Sequence, residues 1–209
     1  MIICHSHKFI YVHPPQTAGT AVSVSLGELC GPDDAQIGDW PGAQYAKSGR
    51  LKGIGKHATL SALQFPRLSV DLRDYCVVLS VRNPWDRLVS FYHWARVQEF
   101  DSPQIIAAQT NDFDGFLSST VIQSAFYSSP YRKYAANPDL VLRSETLDDD
   151  LRQLGQRLSV AIRIPARVNM SERQQDWRPY YSDETAALVA KMCAKDIADY
   201  GYSFEGVVL

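Results

Sequence analysis

Several features that assign a function by composition alone are missing from this sequence. No apolar run approaches the roughly 18 residues of a membrane span, and the N-terminal stretch MIICHSHKF is too short and too rich in histidine for a secretory signal. The formal net charge is only −2, which gives no indication of nucleic acid or of an acidic membrane surface as a partner. We therefore expect a cytoplasmic protein with no membrane span and no nucleic-acid partner.

The sequence also lacks a cysteine framework, internal repeats and low-complexity tracts. Its four cysteines are scattered, without a C-x-x-C pair or metal-type spacing: Cys4, Cys30, Cys76 and Cys193. Free thiols in a reducing compartment fit this spacing better than disulfides do. The run of aspartates at 148–150 lies at the start of a predicted helix, where the helix dipole favours acids. We interpret it as a solvated helix end and predict no metal site.

What the chain does contain is enough apolar sequence for one domain, 45% of 209 residues. The hydrophobic pattern predicts strands at 8–13, 75–81, 140–142 and 161–168, and helices at 17–29, 57–64, 84–98, 145–158 and 182–200. Residues 31–56 are rich in Gly, Pro and charge, and we expect an irregular surface segment there. The recurring order of strand, loop and helix predicts an α/β fold with a mainly parallel sheet, as a single domain over residues 1–209.

The stretch YVHPPQTAGT connects the first of these strands to a helix. Ligands bind at the carboxyl ends of parallel strands, and the start of a helix points unpaired N–H groups at an anion. Gly19 would let the backbone approach a phosphate, and the hydroxyls of Thr17 and Thr20 can donate to its oxygens. The loop is not a Walker A motif, because Gln16 stands where a phosphate loop has its lysine. The alternative is a plain strand–turn–helix connection with a threonine as N-cap.

The stretch VRNPWDRLVSFY follows the strongest predicted strand. Arg82 ends that strand and Ser90 lies about two helical turns later, so a guanidinium fork and a hydroxyl could together bind a phosphate monoester. The alternative is structural: Arg82 would bind carbonyls at the sheet end, and Arg87 would pair on the surface with Asp86 or Glu99. Two anion-suited turns at two strand ends favour the binding interpretation.

Together these segments resemble the PAPS-dependent sulfotransferases, in particular the branch related to carbohydrate sulfotransferases. FIYVHPPQTAGTAV resembles the family's 5′-phosphosulfate loop, and LSVRNPWDRLVSFYHW resembles its 3′-phosphate motif. LVLRSETLDDDL resembles the strand and helix that follow, and VNMSERQQDWRPYYSDETAALVAKMCAKDIADYGY resembles the closing segment. The resemblance covers most of the chain in the right order and leaves 31–56 and 97–138 unmatched.

The resemblance implies a three-layer P-loop-like fold, with helices flanking the sheet, that binds PAPS (3′-phosphoadenosine 5′-phosphosulfate) as co-substrate and needs no metal. The sulfuryl group would pass to a hydroxyl or amine of an acceptor. The acceptors most common in the family are glycans and other hydroxylated metabolites. The implied donor-binding residues are Pro15, Gln16, Thr17, Ala18, Gly19, Thr20 and Ala21 for the 5′ end, Arg82 and Ser90 for the 3′-phosphate, and Asn169, Ser171 and Arg173 in the closing segment. The motif GKHAT marks His57 as the catalytic base, with His13 as the alternative. Trp85 and Trp177 are weaker candidates for stacking on a sugar or adenine.

Gln16 takes the place of a lysine whose charge stabilises departure of the donor oxygen in the family. A neutral amide gives about half the strength of a charge-assisted hydrogen bond, so turnover would fall by about 10²–10³ unless another cation compensates. We expect compensation by Lys8, Lys56 or Arg87. The alternatives are a nucleotide or small-molecule kinase with a degenerate loop, and a nucleotide-binding module with little turnover. The sequence predicts neither the acceptor nor the oligomeric state.

Overall fold

The computed structural model describes residues 1–44, 50–63, 71–164 and 173–207. In these ranges, strands β1 to β7 span Ile2–Cys4, Phe9–Val12, Ala35–Gln36, Cys76–Val81, Leu140–Arg143, Tyr202–Ser203 and Gly206–Val207. Helices α1 to α9 span Gly19–Gly27, Pro84–Arg96, Pro103–Thr110, Phe113–Ser118, Thr120–Tyr127, Tyr131–Tyr134, Leu147–Leu158, Asp183–Met192 and Ala194–Tyr200. Short 3₁₀ helices span Leu60–Leu63, Leu72–Asp74 and Arg178–Tyr180. In the part of the chain so described, no helix is both long and apolar enough to cross a membrane.

Contacts between residues divide the chain into two compact units. Unit 1 contains Met1–Val81 and Tyr131–Asn169, and unit 2 contains Arg82–Pro130 and Met170–Leu209. The prediction of a single domain over the whole chain stays a prediction.

Unit 1 is built on a five-stranded sheet in the order β3-β1-β2-β4-β5. Strands β2, β4 and β5 pair in parallel, whereas β1 is antiparallel to both of its neighbours. Four of the five strands therefore point in the same direction, which confirms the predicted α/β fold with a mainly parallel sheet. Because Val12 of β2 pairs with Leu79 of β4, these two strands end at the same edge of the sheet.

The strand sequences explain this arrangement. β4 reads CVVLSV and is buried after its first residue, and β2 reads FIYV and is buried throughout, as expected for interior parallel strands covered on both faces. One face of the sheet packs against α1 and α7 in a single core. That core includes Tyr11, Val78 and Leu142 from the strands, Leu26 from α1 and Leu154 from α7, all with no exposed surface.

Unit 2 is built around α2, which begins as its sequence predicts. Asn83 is the N-cap and accepts a hydrogen bond from the backbone N–H of Trp85, and Pro84 occupies the first helical position. Side chains from α2, α3, α4, α5 and α8 share one core, with Leu88 and Phe116 fully buried in it.

Several elements differ from the sequence predictions. β1 was not predicted, because three apolar residues are too short to show a period. The predicted helix at 57–64 is only the 3₁₀ helix Leu60–Leu63. Residues 161–164 of the predicted fourth strand are irregular, and the rest of it lies outside the described residues. The predicted final helix is two helices, since Cys193 at the break has a non-helical backbone (φ −106°, ψ 20°).

The region 97–138, unassigned from sequence, contains α3 to α6. Two N-caps in this region could have been predicted from the sequence but were not. The Ser102 hydroxyl accepts from Ile105 N ahead of Pro103, and the Asp112 carboxylate accepts from Gly115 N. Serine or aspartate ahead of a helical turn is a common N-cap pattern.

Candidate active site

The loop between β2 and α1 has an unusual backbone for its sequence. Gln16 and Ala18 both adopt the left-handed conformation, with φ values of 65° and 57°, which non-glycine residues seldom adopt. Ala18 is also the N-cap of α1, and its side chain makes no capping hydrogen bond. The first N–H groups of a helix lack intrahelical acceptors, and left-handed turns of this kind form anion-binding concavities. The N-cap is therefore not a threonine, whereas binding of an anion by this loop stays a prediction.

Internal contacts hold this loop in place. Thr17 is 1% exposed, and its hydroxyl donates to the carbonyl oxygen of Pro14 at 2.8 Å. In this conformation the hydroxyl shapes the loop rather than facing solvent. Pro15, Gln16 and Thr20, in contrast, are half-buried and so partly accessible. The half-buried residues are those through which the loop can meet a ligand.

Gly19 is required by its neighbour. A Cβ atom at this position would overlap the imidazole ring of His13. Close approach of a phosphate is the predicted reason for a glycine at this position, and the packing of His13 is a second reason, since a side chain here would displace its ring. The first turn of α1 can therefore pack directly on that ring.

His13 is buried at the end of β2, with 2% of its surface exposed. Its ring stacks on Tyr11, with centroids 5.4 Å apart, and makes an edge contact with His57 at 4.8 Å. Neither ring nitrogen has a hydrogen-bond partner among the described residues. Burial, followed by nearby positive charge including Lys56, lowers the pKa of His13 well below its usual value. His13 is therefore a neutral packing residue, which weakens it as the alternative base.

His57 lies beside this loop although it is 44 residues from His13. Its Nδ1 is 3.0 Å from the carbonyl oxygen of His13. Because a carbonyl can only accept, Nδ1 carries the proton and Nε2 is the basic nitrogen. Burial lowers the pKa of His57 from 6.5 to about 4; the hydrogen bond to His13 opposes this and the charge of Lys56 adds to it. His57 is thus neutral near pH 7, in the tautomer that a base using Nε2 needs.

The structure separates the three cations that were expected to compensate for Gln16. Lys8 precedes β2, at the strand end opposite the loop, and its ammonium group lies over the Tyr75 ring. Arg87 is buried in unit 2, with its guanidinium 4.9 Å from the centroid of the Phe126 ring. The positive charge of Lys56 contributes to the lowered pKa of both His13 and His57.

Lys56 is held in place by Asp39. Its ammonium nitrogen lies 2.7 Å from a carboxylate oxygen of Asp39, and its side chain is 30% exposed. Lys56 is also the residue immediately before His57, so the ion pair restricts the backbone that carries the base.

In unit 2, the start of α2 carries an arginine pair bridged by one carboxylate. Nε of Arg82 lies 2.7 Å from one oxygen of Asp86, and a terminal nitrogen of Arg173 lies 2.5 Å from the other. These side chains are only 9–16% exposed. Two guanidinium groups against one carboxylate leave a local excess of one positive charge. Because Arg87 is buried, the surface pairing with Asp86 or Glu99 in the structural alternative is wrong, whereas binding of sheet-end carbonyls by Arg82 stays a prediction.

The same helix end is anchored by polar contacts to the C-terminal segment. The Asn83 amide donates to Ser203 O at 2.8 Å, and the Tyr181 hydroxyl donates to Trp85 O at 2.8 Å. Trp85 is 4% exposed, and its indole N–H donates to Ala186 O. Trp85 is therefore a core residue, and its interpretation as a stacking surface is wrong.

Comparison with known families decides what kind of protein this is. The model of the sulfotransferase family matches residues 1–205. The chain belongs to the sulfotransferase family. A crystal structure of mouse sulfotransferase SULT7A1 complexed with PAP is also similar, with 13% identity, a TM-score of 0.49, and coverage of 93% of this chain and 85% of that chain. No curated protein sequence matched. The narrower branch related to carbohydrate sulfotransferases stays a prediction.

The remaining predicted residues of this sulfotransferase have different outcomes. Asn169 and Ser171 lie outside the described residues. Ser90 is on α2 and is 7% exposed. Trp177 is half-buried, packs against the core of unit 2 and donates to Phe204 O. Ser90 and Trp177 are thus placed, and their roles remain predictions.

The contacts of two acids, Asp86 in the candidate site and Asp150 elsewhere in the fold, were not predicted from the sequence. Asp86 was considered only as a partner of Arg87, whereas it bridges two other arginines; no local pattern reveals a partner 87 residues away. Asp150 was taken as part of a solvated run, yet it is 9% exposed. Its carboxylate accepts from Arg143 N at 2.7 Å and from the Thr146 hydroxyl at 3.0 Å, so it fixes the start of α7 against β5.

Proposed function

We propose that this sulfotransferase takes its sulfuryl group from PAPS and transfers it to a hydroxyl or amine of a glycan or other hydroxylated metabolite. The observation that carries the proposal is in unit 1. The uncapped start of α1 follows a loop with two left-handed residues, beside a neutral His57 whose basic nitrogen is Nε2. A helix start suited to an anion and a histidine suited to act as a base therefore belong to the same unit.

The 5′ end of the donor would bind to the loop of unit 1. The backbone N–H groups of Gly19, Thr20 and Ala21 belong to the first turn of α1, where the helix dipole favours negative charge. Pro15, Thr17 and Ala18 would shape the concavity rather than donate through their side chains. Such a cradle suits the phosphosulfate because backbone groups are already in place before the donor arrives.

The 3′-phosphate would bind to unit 2, where positive charge is in excess. Arg82 and Arg173 share Asp86, so both guanidinium groups are positioned before a ligand binds. A phosphate would gain charge-assisted hydrogen bonds from such groups. Ser90 completes the proposed 3′-phosphate set, and Asn169 and Ser171 belong to the segment proposed to close over the nucleotide.

His57 would act as the base that accepts the proton of the acceptor hydroxyl or amine. The acceptor oxygen or nitrogen attacks the sulfur atom in line with the departing phosphate oxygen of the donor. As the new bond to sulfur forms and the bond to the leaving oxygen breaks, the acceptor proton moves to Nε2 of His57. The carbonyl of His13 holds the ring in the required tautomer and also stabilises the imidazolium that results.

Charge that develops on the leaving oxygen would be stabilised by Gln16 and Lys56. Gln16 can donate a neutral hydrogen bond from the loop, and Lys56 supplies the positive charge that the family lysine would otherwise supply. The support for Lys56 is its position directly before His57, whose Nδ1 binds the His13 carbonyl next to the loop.

Calorimetry followed by a transfer assay tests this function. In calorimetry, we expect PAP to bind the full chain without metal and more tightly than ATP with Mg²⁺ does. In the transfer assay, we expect labelled PAPS to donate its sulfuryl group to at least one acceptor in a screen of glycans and metabolites. Tighter binding of ATP–Mg²⁺ would instead support the kinase. PAP binding without transfer to any acceptor would support the binding module.

The role of His57 is tested by His57→Gln, which keeps a polar side chain but cannot take up the proton. Loss of a general base should lower turnover by about 10²–10⁴ while PAP affinity stays the same. His7→Gln is the matched control, because His7 lies in the turn between β1 and β2, at the end of β2 opposite the loop. Equal turnover of the two variants would show that His57 is not the base.

A further inference from the structure

The cysteines, scattered in sequence, include a pair that the fold brings together with a carboxylate. Cys4 ends β1, Cys30 follows α1, and Asp34 lies in the loop before β3. Their sulfur and oxygen atoms all lie within 4.8 Å of one another. None of the three takes part in the proposed sulfuryl transfer. β1 runs antiparallel to β2, so this cluster lies at the edge of the sheet opposite the loop that precedes α1.

We propose that Cys4, Cys30 and Asp34 form a structural binding site for a thiophilic divalent cation such as Zn²⁺. Two thiolates and one carboxylate oxygen would bind the ion, and a water molecule would complete a tetrahedral shell. The thiol protons of Cys4 and Cys30 leave to solvent on binding. Soft thiolate ligands select zinc over Mg²⁺ or Ca²⁺.

The spacing of the three ligand atoms suits zinc. Zn–S and Zn–O bonds of about 2.3 and 2.0–2.2 Å place tetrahedral ligands about 3.5–3.8 Å apart. The Cys4 sulfur is already 3.3 Å from Oδ2 of Asp34, and the largest separation in the group is within 4.8 Å. Side-chain rotations that shorten the longest separation by about 1 Å would close the shell.

The carboxylate is oriented by its surroundings, as a ligand should be. Oδ1 of Asp34 accepts from His5 N at 2.6 Å and Ser6 N at 3.2 Å. Oδ2 accepts from Gly31 N and from the Ser6 hydroxyl, both at 2.8 Å. Hydrogen bonds of this kind fix metal ligands in place. Asp34 thereby joins the turn after β1 to the loop after α1.

Exposure differs among the three residues in a way that allows an ion to enter. Cys4 has no exposed surface, whereas Cys30 and Asp34 are half-buried. An ion can therefore approach from the side of Cys30 and Asp34 and keep one water ligand. Because Cys4 and Cys30 are 26 positions apart (30 − 4), the unfolded chain holds no such site, and binding must stabilise the folded state.

Metal titration of the reduced, untagged full chain tests the proposal. After chelation and reduction, we expect one Zn²⁺ per chain by elemental mass spectrometry, a higher unfolding temperature with zinc, and no such effect of Mg²⁺. Titration with Co²⁺ should show near-ultraviolet thiolate-to-metal charge-transfer absorption. Failure of the reduced chain to take up zinc, or cobalt bound without the thiolate band, would overturn the site.

Two variants make the test specific. Cys30→Ser removes a half-buried ligand and should weaken zinc binding by more than about 10–100-fold, which is the usual loss when a group that only orients a metal ligand is changed. Cys76→Ser is the control, since Cys76 is also half-buried in unit 1 but lies outside the group. Equal zinc affinity of the two variants would refute the proposal. PAP affinity should be unchanged in both, so this result is independent of the proposed function.

Discussion

At the residue scale, the departure of this chain from its family is concentrated at Gln16. The backbone of Gln16 is left-handed and its side chain half-buried, so it belongs to the loop that precedes α1. Of the cations that could replace the family lysine, Lys8 lies at the end of β2 opposite the loop, Arg87 belongs to unit 2, and Lys56 directly precedes His57, so Lys56 is the one we propose. Three candidate cations were possible from the sequence, because the separation of two residues along the chain does not show at which end of a strand each side chain lies.

Gln16→Lys would restore the family residue. A charge-assisted hydrogen bond to the leaving oxygen should raise turnover, at most by about 10²–10³. PAP affinity should stay similar, because the backbone cradle and Arg82 are unchanged. Steady-state transfer from labelled PAPS, with calorimetry of PAP, measures both quantities. A large fall in turnover would show that the glutamine has a role that lysine cannot take.

At the element scale, the start of α1 depends on a close fit between a helix and a ring. Gly19 leaves room for His13, and the carbonyl of His13 in turn holds the tautomer of His57. β2, the start of α1 and His57 are thereby linked by direct contacts.

Gly19→Ala tests this connection. The added methyl group would overlap the His13 ring, and overpacking of this kind costs about 1–3 kcal/mol of unfolding free energy. We also expect lower turnover, because displacement of His13 moves the carbonyl that orients His57. Urea denaturation and the transfer assay measure the two effects. Gly55→Ala is the control, because a Cβ atom at this position would meet nothing within 4 Å. The unfolding free energy of this variant should change by less than about 0.5 kcal/mol.

At the scale of the whole molecule, burial of histidines makes stability depend on pH. The folded-state pKa of His57 is lowered to about 4, and that of His13 is lowered well below its usual value. Between pH 6.5 and 4 the unfolded chain therefore binds more protons than the folded chain does. Stability must rise with pH through this window and fall on acidification.

Urea denaturation at pH 7 and pH 5 measures this dependence. His57 alone should lower the unfolding free energy by about 2 kcal/mol between these two values, from its pKa shift at 1.36 kcal/mol per unit. The difference in unfolding free energy between the two pH values should be smaller in His57→Gln, because glutamine does not bind a proton in this range. It should be retained in His7→Gln. An equal pH dependence in wild type and His57→Gln would contradict the buried, neutral state of His57.

The sequence by itself determined the α/β class, the two strand-to-helix turns and the sulfotransferase family. Each rests on local information: a run of buried apolar residues, a proline at a helix start, or a motif within about a dozen positions. β2, β4, β5 and α2 were predictable for this reason. β1 and the break at Cys193 were not, because a three-residue strand has no period and the break carries no glycine or proline.

Only the tertiary structure decided which distant side chains meet. It placed His57 against His13, joined Arg82 to Arg173 through Asp86, and brought Cys4 to Cys30. Apart from the local Arg82–Asp86 pair, these contacts join positions from 26 to 87 residues apart. The physical reason is that protonation, ion pairing and metal ligation act over a few ångströms of space, and only the packing of strands and helices sets those distances.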